Sequence, residues 1–513
     1  MSATLLLKRL VSLTGWKAVI VYLLMGACAM ATLAPLFLTP LLIPVFCLLF
    51  HYTHHSKNWK NTFFIHWCFG LGFFLTGTYW IALSLLVDST NFGWMIPFAT
   101  LGLSSILAVF YGLSGLSYHV ITTRFKISST SSHIILFSVL FAIAELLRSY
   151  SFTGFPWNAI GYSMAVHEAL LQPASLVGIY GVNLLTVLFA TLPVILFYKV
   201  ERAKRVFFIS IILFSIIVTW GIMRVSDNSQ TSNTITARIV QGNVEKHRKW
   251  DKEKAYREYA SMTKADSLTP LDLIIWPESS FPYFIDPSSD WPKKLASLLN
   301  PESTLLTGAL RWQETKDKQY KIWNSLAAIS AKGVPQYYDK HHLVPFGEYV
   351  PFRNILPIKK IIPGKIDFTP SLEKKALSLT NDITIGSLIC YEAIFSRHAF
   401  FDKPIDLLVS ITNDGWFAKS AGPYQHLHMA RVRAVEQAVP LIRAANSGIS
   451  AVYNSKGVLL DSIDLKVKAY SDVTIPLGAD KGSLYSRYGL GSFFAFVFLL
   501  LSISLLLRHD DKH

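Results

Sequence analysis

Residues 386–392 read GSLICYE, an apolar run that stops abruptly at a cysteine, a tyrosine and an acid. Extended back to Ile383, the run is β-branched and aliphatic and is bounded by Asn381 and Asp382, the signature of a buried strand. Cys390 then stands at the strand's exit with Glu392 just beyond it. The same pattern repeats on both sides. Short apolar runs at 236–240, 271–276, 303–308, 325–331 and 407–412 read as further strands. Helices are expected at 251–264, 291–299 and 423–438, the last after a Gly-Pro start signal. Strands alternating with helices imply a layered α/β fold. There is no internal repeat and no low-complexity segment.

On either side of this polar region the chain turns apolar. Runs at 17–34, 36–52, 62–86, 94–117, 132–147, 172–198 and 206–222 precede it, and 489–507 follows it. Most approach the roughly 20 residues that cross the hydrocarbon of a bilayer. The first two are short and divided only by Pro35, so they are either two spans or one hairpin. The expected architecture is therefore an all-α bundle of about seven spans at 1–222, an α/β domain at 223–487, and a closing span with its tail at 488–513. Residues 1–16 are basic, with no small-residue cleavage site after a brief apolar region, so no cleavable signal is expected.

Charge orients the bundle. Lys8, Arg9 and Lys17 precede the first run, Lys57 and Lys60 follow the second, Arg124 and Lys126 the fourth, and Lys199, Arg202, Lys204 and Arg205 the sixth. The turn at 88–93 has no Lys or Arg. Basic loops thus alternate with non-basic ones, which places both termini in the cytoplasm and the α/β domain outside. This topological use of Lys and Arg also accounts for much of the net charge of +15, so nucleic acid is not expected as a partner. With 51% hydrophobic and only 16% charged residues over 513 positions, much of the chain must bury in lipid.

Of the four cysteines, Cys28, Cys47 and Cys68 lie in apolar segments, where a small buried residue is the expectation. Cys390 is the only one in the polar region, so it has no disulfide partner there and is flagged as a reactive thiol. Two further stretches end predicted strands: 273–279 (LIIWPES) with Glu278, and 338–351 (YDKHHLVPFGEYVP) with Lys340 and Glu348. Strand ends are where α/β folds place their chemistry. Taken singly, each residue has a plain reading, as a loop acid, a surface lysine or a core cysteine. Together they supply what an ordinary thiol lacks: a carboxylate to take its proton and an ammonium to hold the charge that develops on the attacked carbonyl. The backbone N–H of Tyr391 is a natural second donor to that oxyanion. The histidines, including His426 and His428 two apart on a helix, make no metal spacing; no metal and no cofactor is expected.

These strings, in this order, resemble the nitrilase superfamily. The chain as a whole resembles its membrane-embedded members, the bacterial apolipoprotein N-acyltransferases. The likeness also rests on 154–158 (GFPWN), 240–243 (VQGN), Lys249-Trp250, 413–417 (NDGWF), 422–426 (GPYQH) and 429–433 (MARVR). It implies a nitrilase-like αββα sandwich carried on about eight transmembrane helices in the bacterial inner membrane, with the catalytic domain in the periplasm. It further implies Glu278 as general base, Lys340 as oxyanion stabiliser and Cys390 as nucleophile. Supporting roles fall to Glu348, Tyr391, Glu392, Asn324 and Trp250. The implied reaction is ping-pong: a membrane phospholipid acylates Cys390, and the thioester passes the chain to the N-terminal amine of a diacylglyceryl-cysteine apolipoprotein. Asp339 and His341 beside the lysine, and Ala418 where glycine is usual, depart from the family pattern. A membrane-anchored amidase with water as acceptor shares the same three residues and is the competing reading. A transporter or lipid-binding scaffold with a dead domain would have lost one of them.

Overall fold

Alternating side chains decide how the polar half of the chain is layered. In the strand Leu273–Ile275, Leu273 and Ile275 point into one core, while Ile274 and the following Trp276 point into another. The strand Thr384–Ile389 divides the same way, Ile385 and Ile389 against Leu388. A strand that is apolar on both faces is covered on both faces.

The computed structural model describes residues 13–507 except 87, 199–202, 228–232, 245–250, 286–288, 356–359, 363–365, 380–381 and 478–481. Trp250, Lys8, Arg9, Lys199, Arg202 and the tail 508–513 fall outside the described residues. The chain separates into two compact units, one of residues 1–226 with 487–513 and one of residues 227–486.

The second unit holds two six-stranded mixed sheets. In the first, β1 (Thr234–Gln241), β2 (Leu273–Ile275) and β3 (Thr304–Glu314) run parallel, flanked by antiparallel β4 (Tyr320–Ser330) and β5 (Pro335–Asp339) on one edge and β12 (Ala469–Pro476) on the other. The second repeats the plan: β7 (Thr384–Ile389), β8 (Leu407–Thr412) and β9 (Leu441–Ala445) are parallel. Around them β6 (Leu377–Ser378), β10 (Ser450–Tyr453) and β11 (Leu459–Ile463) are antiparallel. Ile235, Ala237, Ile239 and Leu306 of one sheet meet Leu407, Val409, Ile411 and Ile442 of the other in a shared core. Helix Lys252–Thr263 covers the outer face of the first sheet with Ala255, Tyr259 and Met262, and helix Gly422–Gln437 covers the second with Leu427, Ala430 and Ala434. The result is the four-layer αββα sandwich. Phe281 joins the core beneath helix Lys252–Thr263, and Tyr283 stacks on Trp291 with centroids 4.5 Å apart.

The first unit is helical. By length and composition four helices can cross a membrane: Phe98–Arg124, Thr130–Tyr150, Ala174–Phe197 and Lys204–Ser226. The pair Trp59–Gly77 and Trp80–Leu86, bent by 46°, makes a fifth if it is one span. Trp16–Met30, Thr39–His54 and Leu490–Leu506 are apolar but shorter, so these lengths do not establish the expected count of eight among the described residues. Helix Lys204–Ser226 exposes Phe208, Ile212 and Ile216, as a lipid-facing helix does. Helices Trp16–Met30 and Trp59–Gly77 cross so closely that a Cβ on Gly26 would come within 2.0 Å of the Phe69 carbonyl oxygen, and one on Gly72 within 2.1 Å of that of Leu23. Aromatic rings fill the interior: Phe141 lies 4.9 Å from Tyr111, 5.2 Å from Phe137 and 5.6 Å from Phe46. Among them Glu145 and Arg148 form a fully buried ion pair. Tyr111 donates to Glu145, and Arg148 donates to the carbonyls of Phe155 and Trp157, pinning the GFPWN loop.

Candidate active site

Three strand ends converge in the 227–486 unit. β2 breaks at Trp276-Pro277, whose ring removes a ladder donor. Glu278 follows, 7% exposed, with Oε1 accepting from Asn324 Nδ2 at 2.7 Å and Oε2 from the Asn413 backbone N–H at 2.9 Å. This turn packs directly on Gly308 of β3, where a Cβ would lie 2.5 Å from Glu278 Cα and from the Pro277 oxygen. Only glycine allows the two backbones to come so close.

Lys340 follows β5 and is 1% exposed. Its Nζ lies 3.0 Å from each oxygen of Glu348 and 3.8 Å from Glu278 Oε1. Burial alone would lower the Lys340 pKa, but Glu348 and Glu278 outweigh it and raise it, so the ammonium keeps its proton. Asn324 also donates to Glu348 at 3.0 Å and so bridges the two carboxylates, while the Val344 N–H fixes the other Glu348 oxygen at 2.8 Å. Two carboxylates share one ammonium. Burial raises the Glu278 pKa, Lys340 works against that, and Glu348 adds to it. The net result is a better base than a free carboxylate.

Cys390 ends β7 with φ at 53°, in the left-handed region that non-glycine residues rarely adopt, and the chain leaves the strand through the 3-10 turn Cys390–Ile394. Its thiol and the Glu278 carboxylate each shift the other's proton affinity, and Thr412 also acts on the thiol. The residue keeps some exposure, yet the protein packed around the sulfur, and then the Glu278 charge, push its pKa well above the ordinary thiol range. At rest it is a neutral thiol beside a base.

Glu392 is buried and ties the lysine loop to the cysteine strand. Oε1 accepts from the His341 and His342 backbone N–H groups at 2.7 and 3.1 Å; Oε2 accepts from the Ile389 N–H at 2.8 Å and the Tyr338 hydroxyl at 3.1 Å. Tyr391 lies against His342, their rings 5.6 Å apart. The structure thus brings Glu278, Lys340, Cys390, Glu348, Asn324, Tyr391 and Glu392 together; Trp250 is outside the described residues.

The departures from the family pattern have local reasons. Asp339 could have drained charge from Lys340, but it is held by Arg311 and by Ser325 Oγ at 2.6 Å. His341 spends its backbone N–H on Glu392 and its ring on the Ser371 carbonyl at 2.7 Å. Ala418 sits at φ 50°, a conformation that glycine adopts without strain. Sequence reasoning missed Gly308, the Asn413 N–H that fixes Glu278, and a buried set at Asp414, His426 and Arg443. Only the strings NDGWF and GPYQH hinted at the last group.

A model of the apolipoprotein N-acyltransferase N-terminal domain matches residues 25–192, and one of carbon-nitrogen hydrolase matches 236–479. Apolipoprotein N-acyltransferase of Rickettsia bellii is 33% identical over 96% of this chain and 98% of its own, and that of Allorhizobium ampelinum 33% identical over 98% and 97%. A solved CN-hydrolase superfamily protein from Xanthomonas campestris, XC1258, overlaps 53% of this chain and 97% of its own at 19% identity and a TM-score of 0.37. At one-third identity over nearly the full length of both chains, this protein belongs to the apolipoprotein N-acyltransferase family.

Proposed function

We propose that the protein transfers an acyl chain from a membrane phospholipid to the N-terminal amine of a diacylglyceryl-cysteine apolipoprotein through a Cys390 thioester. The observation that carries this reading is a buried carboxylate, Glu278, 3.8 Å from an ammonium that Glu348 holds in place, both acting on the Cys390 thiol at the neighbouring strand end. Glu278 takes the thiol proton as sulfur attacks the ester carbonyl. Lys340 Nζ and the Tyr391 N–H stabilise the oxyanion. Collapse breaks the ester C–O bond, and Glu278 returns its proton to the departing glyceryl oxygen. That leaves a lysophospholipid and the thioester. The acceptor amine then attacks the thioester and gives Glu278 a proton; the C–S bond breaks as the amide forms, and the proton returns to the departing sulfur. Sulfur suits this relay because a thioester passes readily to an amine. Two lipid substrates also explain a helical bundle where a soluble substrate would need one anchor at most.

Charge alternation supports an inner-membrane chain with the 227–486 unit in the periplasm and both termini in the cytoplasm. Protease added to intact spheroplasts should cut within 227–486; protection there would reverse the orientation. The chemistry is tested with a phospholipid labelled in its acyl chain. Label should appear on Cys390 and chase onto a lipopeptide amine. Release only as free fatty acid would make the protein a hydrolase, and no label on Cys390 would sink both enzymatic readings.

A further inference from the structure

Cys390 occupies an unfavourable backbone conformation, and something must hold it there. A non-glycine residue in the left-handed region costs on the order of 1–3 kcal/mol and persists only where its surroundings over-determine it. One such contact is His426 on helix Gly422–Gln437, 1% exposed, whose Nε2 lies 3.1 Å from the Cys390 carbonyl oxygen. A carbonyl can only accept, so Nε2 carries a proton whatever the charge of the ring. The other ring nitrogen lies 3.0 Å from Asp414 Oδ1 and 3.2 Å from Arg443 Nη2. Arg443 donates to Asp414 Oδ2 at 2.7 Å, and Thr412 Oγ1 donates to Oδ1 at 2.9 Å. Every member is at most 2% exposed, so the imidazole is locked.

We propose that His426 is a positioning residue for acylation: by holding the Cys390 carbonyl it fixes the Cys390–Tyr391 peptide and aims the Tyr391 N–H at the reacting carbonyl. The reason is geometric. In a planar trans peptide the C=O and the N–H point in opposite directions. A carbonyl anchored toward helix Gly422–Gln437 therefore turns the next N–H away from that helix. Lys340 supplies charge to the oxyanion, and His426 gives direction to the donor that works beside it. Glu392 cannot do this, because the strand N–H it grips is that of Ile389, two peptides before Cys390–Tyr391.

The inference rests on the thioester reading above, and the test separates the two. The full-length protein, in vesicles, is assayed for thioester formation from labelled phospholipid and for alkylation of Cys390 by iodoacetamide, read on the Cys390 peptide because Cys28 is also exposed. Alkylation builds no oxyanion, so it reports the thiol without the donor. Losing one complete oxyanion donor costs about 10²–10³-fold, so His426→Ala should slow thioester formation ~10–100-fold while alkylation stays within about 3-fold of wild type. His426→Gln, whose side-chain N–H can reach the same carbonyl, should recover most of the rate. The proposal is overturned if His426→Ala acylates like wild type, or if acylation and alkylation fall together in both variants, which marks a purely structural histidine. A wild type that forms no thioester would instead overturn the function on which it rests.

Discussion

Replacing Glu278 by glutamine removes the base but keeps its shape. An ordinary thiol is a few per cent ionised at neutral pH, and each unit added to its pKa cuts that share tenfold. Packing around Cys390 raises its pKa well beyond the ordinary range, so unaided ionisation contributes almost nothing. One effect opposes the loss: the Glu278 charge itself helps to keep the thiol protonated, and Glu278→Gln removes that charge. Burial is the larger cause and survives the substitution, so the missing base wins. General-base loss costs about 10²–10⁴-fold, and a thiol held this strongly puts the expectation at ~10³-fold or more. Some stability is lost as well. Both Glu278 oxygens face donors, Asn324 Nδ2 and the Asn413 N–H, so the new amide NH₂ must oppose one of them, at about 1–3 kcal/mol. The rate of label transfer from phospholipid to Cys390 measures the first effect and thermal unfolding in detergent the second. If folded Glu278→Gln forms the thioester within about tenfold of wild type, the general-base assignment is wrong.

Two other substitutions probe the site's supports. Gly308→Ala puts a methyl group 2.5 Å from the backbone at Glu278 and Pro277, which must retreat by about 1 Å; a displacement of that size costs on the order of 10²-fold in rate, and near-wild-type label transfer would show that the turn is free to move. Burial alone would raise the Asp414 pKa, but Arg443 and His426 hold the carboxyl well below its usual range. A depressed carboxyl contributes stability that is present above its unfolded pKa, about 3.9, and lost as pH falls below it. Asp414→Asn should therefore unfold more easily by about 3–5 kcal/mol near neutral pH, the cost of breaking a buried pair. The melting gap to wild type should narrow below about pH 4. A gap unchanged down to pH 3 would mean that the Arg443 pair is not its source.

The readable part of the fold was the part whose residues are apolar on both faces. The run 407–412 coincides with β8 because all six of its residues are buried, and 384–389 lies within the expected 383–389 for the same reason. β4 begins at Tyr320, ahead of the apolar run at 325–331, because its first residues form an exposed hairpin with no apolar signal. β9, LIRAA, gives no strand signal, since a charged residue at its centre argues against a buried strand. Arg443 is tolerated there only through Asp414, a partner 29 positions away that no local pattern announces. β11 and β12 are half-exposed and carry too few apolar residues to stand out. At the site, the residues that carry charge stood in distinctive strings, whereas the backbone donors that aim them, at Asn413, His341 and His342, are indifferent to side-chain identity and leave no trace in sequence.

The rings that fill the helical unit bear on how such a bundle coheres at all. Lipid tails are as apolar as leucine, so helices gain nothing from hiding aliphatic surface from them, and attraction must come from contact itself. Edge-to-face rings such as Phe46 with Phe69 and Phe46 with Phe141, at 64° and 78°, set the positive rim of one ring against the negative face of the next. That attraction depends on angle, where aliphatic packing depends mainly on fit. A helix rotated about its axis would keep its apolar area and lose its ring angles. The quadrupoles therefore discriminate among rotations that a bilayer, as solvent, cannot tell apart.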